Sequence, residues 1–99
     1  MNNNLKDKNL DILFNAILSL ETIEDCYSFF DDLCTVSELK SISQRFEVAQ
    51  MLDSKCVYTD IVSQTGASSA TISRVNRSLL YGSGGYRSVL DKMKGKNNE

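Results

Sequence analysis

Between Ser68 and Arg77 the chain places four hydroxyl side chains, Ser68, Ser69, Thr71 and Ser73, and two arginines, Arg74 and Arg77, directly after Gly66. These are hydrogen-bond donors of two lengths. A serine hydroxyl is short and lets two backbones come close. A guanidinium reaches further and matches phosphate oxygens or the acceptor edge of guanine. Ala70, in the middle of the group, or the Thr71 methyl suits the methyl of thymine. No carboxylate falls in this stretch, although the chain has 13 to distribute. Asp or Glu there would repel phosphate. The chemistry that fits is recognition of nucleic acid.

Other chemistries lack their parts. The chain has no histidine, and Cys26, Cys34 and Cys56 do not show metal-ligand spacing. Their odd count argues against a disulfide framework, so they read as buried apolar cysteines, with a redox sensor as the minor alternative. Glu24, Asp25, Asp31, Asp32, Glu38 and Glu47 read as solvated helix faces and caps. Ser68, Ser69 and Ser73 have no base partner in view. Gly82, Gly84 and Gly85 follow a helical pattern instead of a strand, so they are not a phosphate-binding glycine signature. An enzyme, a metal and a cofactor are not expected.

The elements that must position these residues are helical. Proline is absent from the 99 residues and glycine is clustered late. No long apolar run suggests a membrane span, and the N-terminus lacks the apolar core of a signal peptide, so a cytoplasmic protein is expected. One domain, 1–99, is expected, with loose tails at 1–9 and 95–99. Net charge is −2, unevenly placed: six basic against two acidic residues from Ser69 onward, five against eleven before it. That asymmetry, +4 against −6, suggests a positive C-terminal face beside an acidic body.

Leu10, Leu13, Phe14, Ile17, Leu18 and Leu20 recur at helical spacing. Thr22 with Asp25 resembles a capping box for a second helix with an apolar face of Ile23, Cys26, Phe29, Phe30 and Leu33. Thr35 with Glu38 makes a better box for a long third helix, with Leu39, Ile42, Phe46, Ala49 and Met51 or Leu52 in period. Gln44, Arg45, Glu47 and Gln50 take its other faces. So many large apolar residues suit either one small core or an interface between two chains. Thr59 suits the N-cap of a short helix ending before Gly66, where a left-handed residue is wanted. Ser68 can cap the next helix, which runs to about Leu80. Ile61, Val62, Ile72 and Val75 then face inward. Ser68, Ser69, Ala70, Ser73, Arg74 and Arg77 face outward. This is a helix-turn-helix over about 58–79.

The residues "TGASSATISR" (Thr65–Arg74), "VNRSL" after them, "YGSGGY" (Tyr81–Tyr86) and "SELKSISQRFEVAQML" (Ser37–Leu52) resemble the Trp repressor superfamily, closest to its YerC/YecD branch. The similarity runs from Asp32 to Leu90. It implies an all-α fold of about six helices, an intertwined homodimer, and sequence-specific repression through double-stranded DNA. It also implies a ligand cleft. In the Trp repressor two arginines sandwich the indole ring, and a glycine follows the second. Arg74 matches the second arginine, Gln44 stands at the first with Arg45 beside it, and Val75 replaces the glycine. The resemblance therefore does not carry tryptophan over as corepressor, and leaves an unknown small-molecule corepressor open. The competing reading is a dimeric helical adaptor that binds protein instead of DNA; steep salt dependence of binding would separate the two.

Overall fold

The computed structural model describes residues 7–97, and within them every element is an α-helix. The order is α1 (Lys8–Leu18), α2 (Ile23–Leu33), α3 (Val36–Asp53), α4 (Tyr58–Thr65), α5 (Ser69–Tyr81) and α6 (Gly85–Asn97). The outer parts of the expected tails, 1–6 and 98–99, lie outside the described residues. The chain divides into two compact units, Met1–Leu39 and Lys40–Glu99.

In the first unit, side chains define the helix starts. Asp7 accepts from the Leu10 N–H at 2.7 Å, so α1 begins at Lys8, inside the stretch expected to be a tail. The capping box of α2 is complete: Thr22 Oγ1 accepts from Asp25 N at 3.0 Å, and Thr22 N donates to Asp25 Oδ2 at 3.3 Å. Thr35 and Glu38 form the same reciprocal pair at the start of α3, at 2.8 and 3.1 Å. The Glu38 pKa is lowered because the Thr35 backbone N–H donates to its carboxylate. Neither α1 nor α2 buries a single residue. Leu18 is 81% exposed, Ile23 71% and Tyr27 76%; Leu10, Leu13 and Ile17 of α1 are half-buried, as are Phe29 and Phe30 of α2, packed edge to face.

The second unit holds the core. Val48 and Ala49 of α3, Ile61 of α4, Ala67 of the turn, and Ile72 and Val75 of α5 are sealed together, with Met51, Leu52, Cys56 and Tyr86 packed around them. The inward residues of α5 are the expected ones. Two others differ. Val62, expected inside, is 46% exposed. It lies about 100° around the helix from Ile61, and an eight-residue helix with one sealed position does not bury both. On α3, Val48 joins Ala49 in the core, whereas Ile42 faces solvent.

Helix α4 has Val57 as its N-cap with no side-chain bond, and Thr59 lies inside the first turn instead of capping it. Its other end is as expected: Gly66 is left-handed, φ +71°, and its N–H donates to the Val62 carbonyl at 2.9 Å. Gly82 ends α5 for a different reason. A Cβ there would lie 2.4 Å from the Ser78 carbonyl oxygen. Helix α6, for which the sequence shows no pattern of its own, runs on to Asn97, beyond the point where a tail was expected. Its last turns are rich in lysine, which favours the negative end of a helix.

Ile72 is fully buried at the centre of this core. Ile72→Ala is expected to lower unfolding free energy by about 2–5 kcal/mol, measured by urea denaturation.

Candidate nucleic-acid interface

The polar residues of the helix pair divide into those that lock the turn and those that face out. Thr65 Oγ1 donates to the Ile61 carbonyl at 2.7 Å and accepts from Ala67 N at 3.0 Å. Ala67 is thereby turned into the core, 3% exposed. Ser68 is the N-cap of α5: its Oγ accepts from Thr71 N at 3.1 Å and donates to Thr71 Oγ1 at 3.1 Å. Thr71, expected among the DNA-contacting residues, is half-buried with its hydroxyl held by this cap. Ser68, Ser69, Ala70, Ser73, Arg74 and Arg77 are all exposed.

Ser69 and Ala70 begin α5, where helical N–H groups have no partner in the preceding turn. Among the described residues their N–H groups make no hydrogen bond. They add a partial positive charge to the end that carries the hydroxyls. Ala70, Arg74 and Arg77 follow one another at spacings of four and three, and Ser69 and Ser73 form the adjacent row. No acidic residue occurs anywhere in α5.

The positive charge of the C-terminal third is less available than its count suggests. Arg87 pairs with both Asp53 and Asp91, and Lys94 Nζ lies 2.6 Å from Asp53 Oδ2. The Asp53 side chain is only 10% exposed, so these bonds tie the end of α3 to α6. Arg87 and Lys94 thus serve the fold, while Arg74 and Arg77 stand on the outward face of α5 and Arg45 of α3 borders a hollow with Arg74.

Arg45 and Arg74 line one hollow of about 280 Å³, together with Ile42, Phe46, Val75, Ser78 and Tyr86. A larger hollow of about 490 Å³ shares Phe46, Ser78 and Tyr86 with it. Phe46 and Tyr86 stack with centroids 6.4 Å apart. Gln44, grouped with Arg45 and Arg74 as a cleft residue on the sequence, is not in the lining. Its Nε2 donates to the Thr65 carbonyl at 3.1 Å, away from Arg45 by one helical step. Val75 is 1% exposed and belongs to the core, so it closes the floor of the hollow. The resemblance puts Gln44 at the family's first arginine; the structure turns it to Thr65 instead.

With this geometry in view, the comparisons with known proteins fall into one group. The family described as Trp repressor protein matches residues 8–94. The uncharacterized protein YerC of Bacillus subtilis (strain 168) is 56% identical over 90 residues, 91% of this chain and 86% of YerC. The chain belongs to the Trp repressor family. Two solved structures agree. A TrpR-like protein from Eubacterium eligens superposes with a TM-score of 0.90 at 54% identity, covering 94% of this chain and 96% of that one. A Trp repressor candidate from Staphylococcus aureus gives 0.88 at 53% identity, over 92% and 91%. The family fold is all-helical, in agreement with the six helices seen here. Among the described residues no helix is long and apolar enough to cross a membrane, and no cluster of His, Cys, Asp or Glu could hold a metal ion.

The Asp53 clasp has a measurable signature. The Lys94 hydrogen bond is the largest cause of its lowered pKa; desolvation opposes it, and the charges of Arg87, Lys94 and Lys55 assist. A carboxyl lowered on folding stabilises the fold above its unfolded pKa of about 4 and loses that contribution as pH falls through the folded value. Thermal unfolding followed by circular dichroism should therefore show wild type above Asp53→Asn at neutral pH. The gap should narrow once pH drops below about 4 and close at lower pH.

Proposed function

We propose that this chain is a sequence-specific DNA-binding regulator, a repressor that acts as a homodimer and reads double-stranded DNA with α5. The observation that carries this reading is the outward face of α5. Ser69, Ser73, Arg74 and Arg77 present donors around Ala70 on a helix without a single carboxylate, at an end with unengaged N–H groups. The N-terminus of α5 and the hydroxyls suit phosphate; the arginines suit phosphate or guanine edges. The opposite face is committed to the core, so α5 can enter a groove without disturbing the fold.

A second copy is supported by the first unit. Ile12, Phe14, Leu18, Ile23, Tyr27, Leu33 and Val36 are exposed apolar side chains, more than a small soluble chain leaves to water without a partner. An intertwined pair would cover them and would place two reading helices for two half-sites.

Tryptophan is not the effector in this reading. Val75 closes the floor where the family's glycine follows the second arginine, and Gln44, at the first arginine's place, is turned to Thr65; Arg45 lines the hollow with Arg74, but over this closed floor. Calorimetric titration with L-tryptophan is expected to give no heat of binding at micromolar concentrations. A micromolar association would refute this.

The function is tested by selecting bound sequences from a random duplex library, with binding repeated at two salt concentrations. A near-palindromic site whose affinity falls steeply with salt is the expected result. Binding that is weak and unselective would favour a helical protein-interaction adaptor. On the selected site, Arg74→Ala and Arg77→Ala are each expected to weaken binding by about 1–3 kcal/mol if the arginine reads a base, with thermal stability nearly unchanged.

A further inference from the structure

We propose that Gln44 is a positioning residue that holds the DNA-reading helix in its competent orientation, so that DNA binding needs no small-molecule effector. This rests on the DNA-binding reading above and deepens it.

Among the described residues, the Gln44–Thr65 contact is the one hydrogen bond between α3 and the helix pair. It meets the pair at a decisive point. Thr65 is the last residue of α4, and its carbonyl is one of those that a helix end leaves without an internal partner. Gln44 Nε2 supplies the missing donor from a half-buried position on the long helix. The same Thr65 holds Ala67 N through its hydroxyl, Ala67 is fixed in the core, and Ser68 caps α5 through Thr71. A continuous set of bonds therefore runs from α3 to the first turn of α5. That turn aims Ser69, Ala70, Ser73 and Arg74.

A ligand wedged between α3 and α5 would act by setting this same relation. Here the chain's own side chains set it. Gln44 fixes the turn, Val75 shares the core with Val48 and Ala49, and Tyr86 of α6 stacks on Phe46 of α3.

Gln44 is a small part of the stability, because one neutral hydrogen bond weighs little beside an apolar core. Its role is directional, and a specific duplex and a random one report on direction differently. Phosphate attraction tolerates a tilted helix, whereas base contacts do not.

The test uses the full chain and the duplex from the selection experiment. Protein is unfolded in guanidinium, dialysed free of small molecules and refolded, then compared with natively purified protein by fluorescence anisotropy. Equal affinity, within about twofold, is expected; this is the size of change that a lost weak contact would already exceed. Gln44→Ala, and Gln44→Met, whose uncharged side chain cannot donate, should weaken the selected duplex about three- to tenfold. Their binding to an unrelated duplex, its salt slope and the melting temperature should stay at wild-type values. Loss of binding on refolding, restored by a small-molecule extract of the cells, would overturn the proposal while leaving the DNA-binding reading intact. So would Gln44→Ala with unchanged specific affinity, or with specific and non-specific binding falling together alongside the melting temperature. If no preparation selects any duplex, the DNA-binding reading itself fails and takes this proposal with it.

Discussion

Val48, Ala49, Ile61, Ala67, Ile72 and Val75 have to share one small sealed space, and most of the second unit follows from that. None of them is aromatic and two are alanines. Small side chains at a contact bring helix axes close together, so α4 and α5 can pack on α3 across few residues. A close contact is also a definite one: at interior packing density even one methylene is felt. The price is that each short helix commits a narrow stripe and has little else to contribute. Helix α4 seals one residue, Ile61, and α5 seals two, Ile72 and Val75. What remains of α5 is a broad surface free of core duties, and that is where the serines and arginines lie.

The first unit is built on the opposite plan. Its helices are well capped and internally bonded, yet they seal nothing. Capping fixes where a helix begins, but apolar burial is what makes it stable in water. The exposed leucines, isoleucines and aromatics of α1 and α2 therefore ask for a cover that these helices do not give one another. The same unit carries eight carboxylates against two lysines, a charge of −6, while the second unit carries +4. This difference in sign would, under the proposed function, favour polyanion contact with the second unit over the first. Under the proposed function the two halves of the chain thus divide the work of assembly and reading.

How much of this was legible depended on whether the cause was local. Thr22 with Asp25, Thr35 with Glu38, Gly66 and Ser68 act within four residues of themselves, and all four features stand where the sequence placed them. Asp7 is just as local but sat in a polar run that looked like a tail, so the true start of α1 was missed. Val62 and Val48 could not be sorted by periodicity, because a helix of eight residues or a two-sided contact does not define one stripe. Val57 as the α4 cap has no sequence signal, since it makes no side-chain bond. The outward set on α5 was legible as a face. The inward turn of Thr71 was not, because the Ser68 hydroxyl could equally have pointed away.

Gln44 and Arg45 show where local reasoning stops. They are neighbours in sequence on a helix with no strong polarity, and nothing near them says which faces the helix pair. Only the fold brings Thr65, 21 residues away, to Gln44, and Arg74 to the hollow that Arg45 lines. The consequence is a separation of roles between adjacent residues. The neutral donor is spent on a carbonyl in the half-buried seam, where a charged side chain would pay desolvation without gaining a charged partner. Arg45, equally half-buried, turns one helical step away and lines the hollow with Arg74. A helix that must both pack against a reading head and border an anionic partner has reason to place one of each, a single step apart.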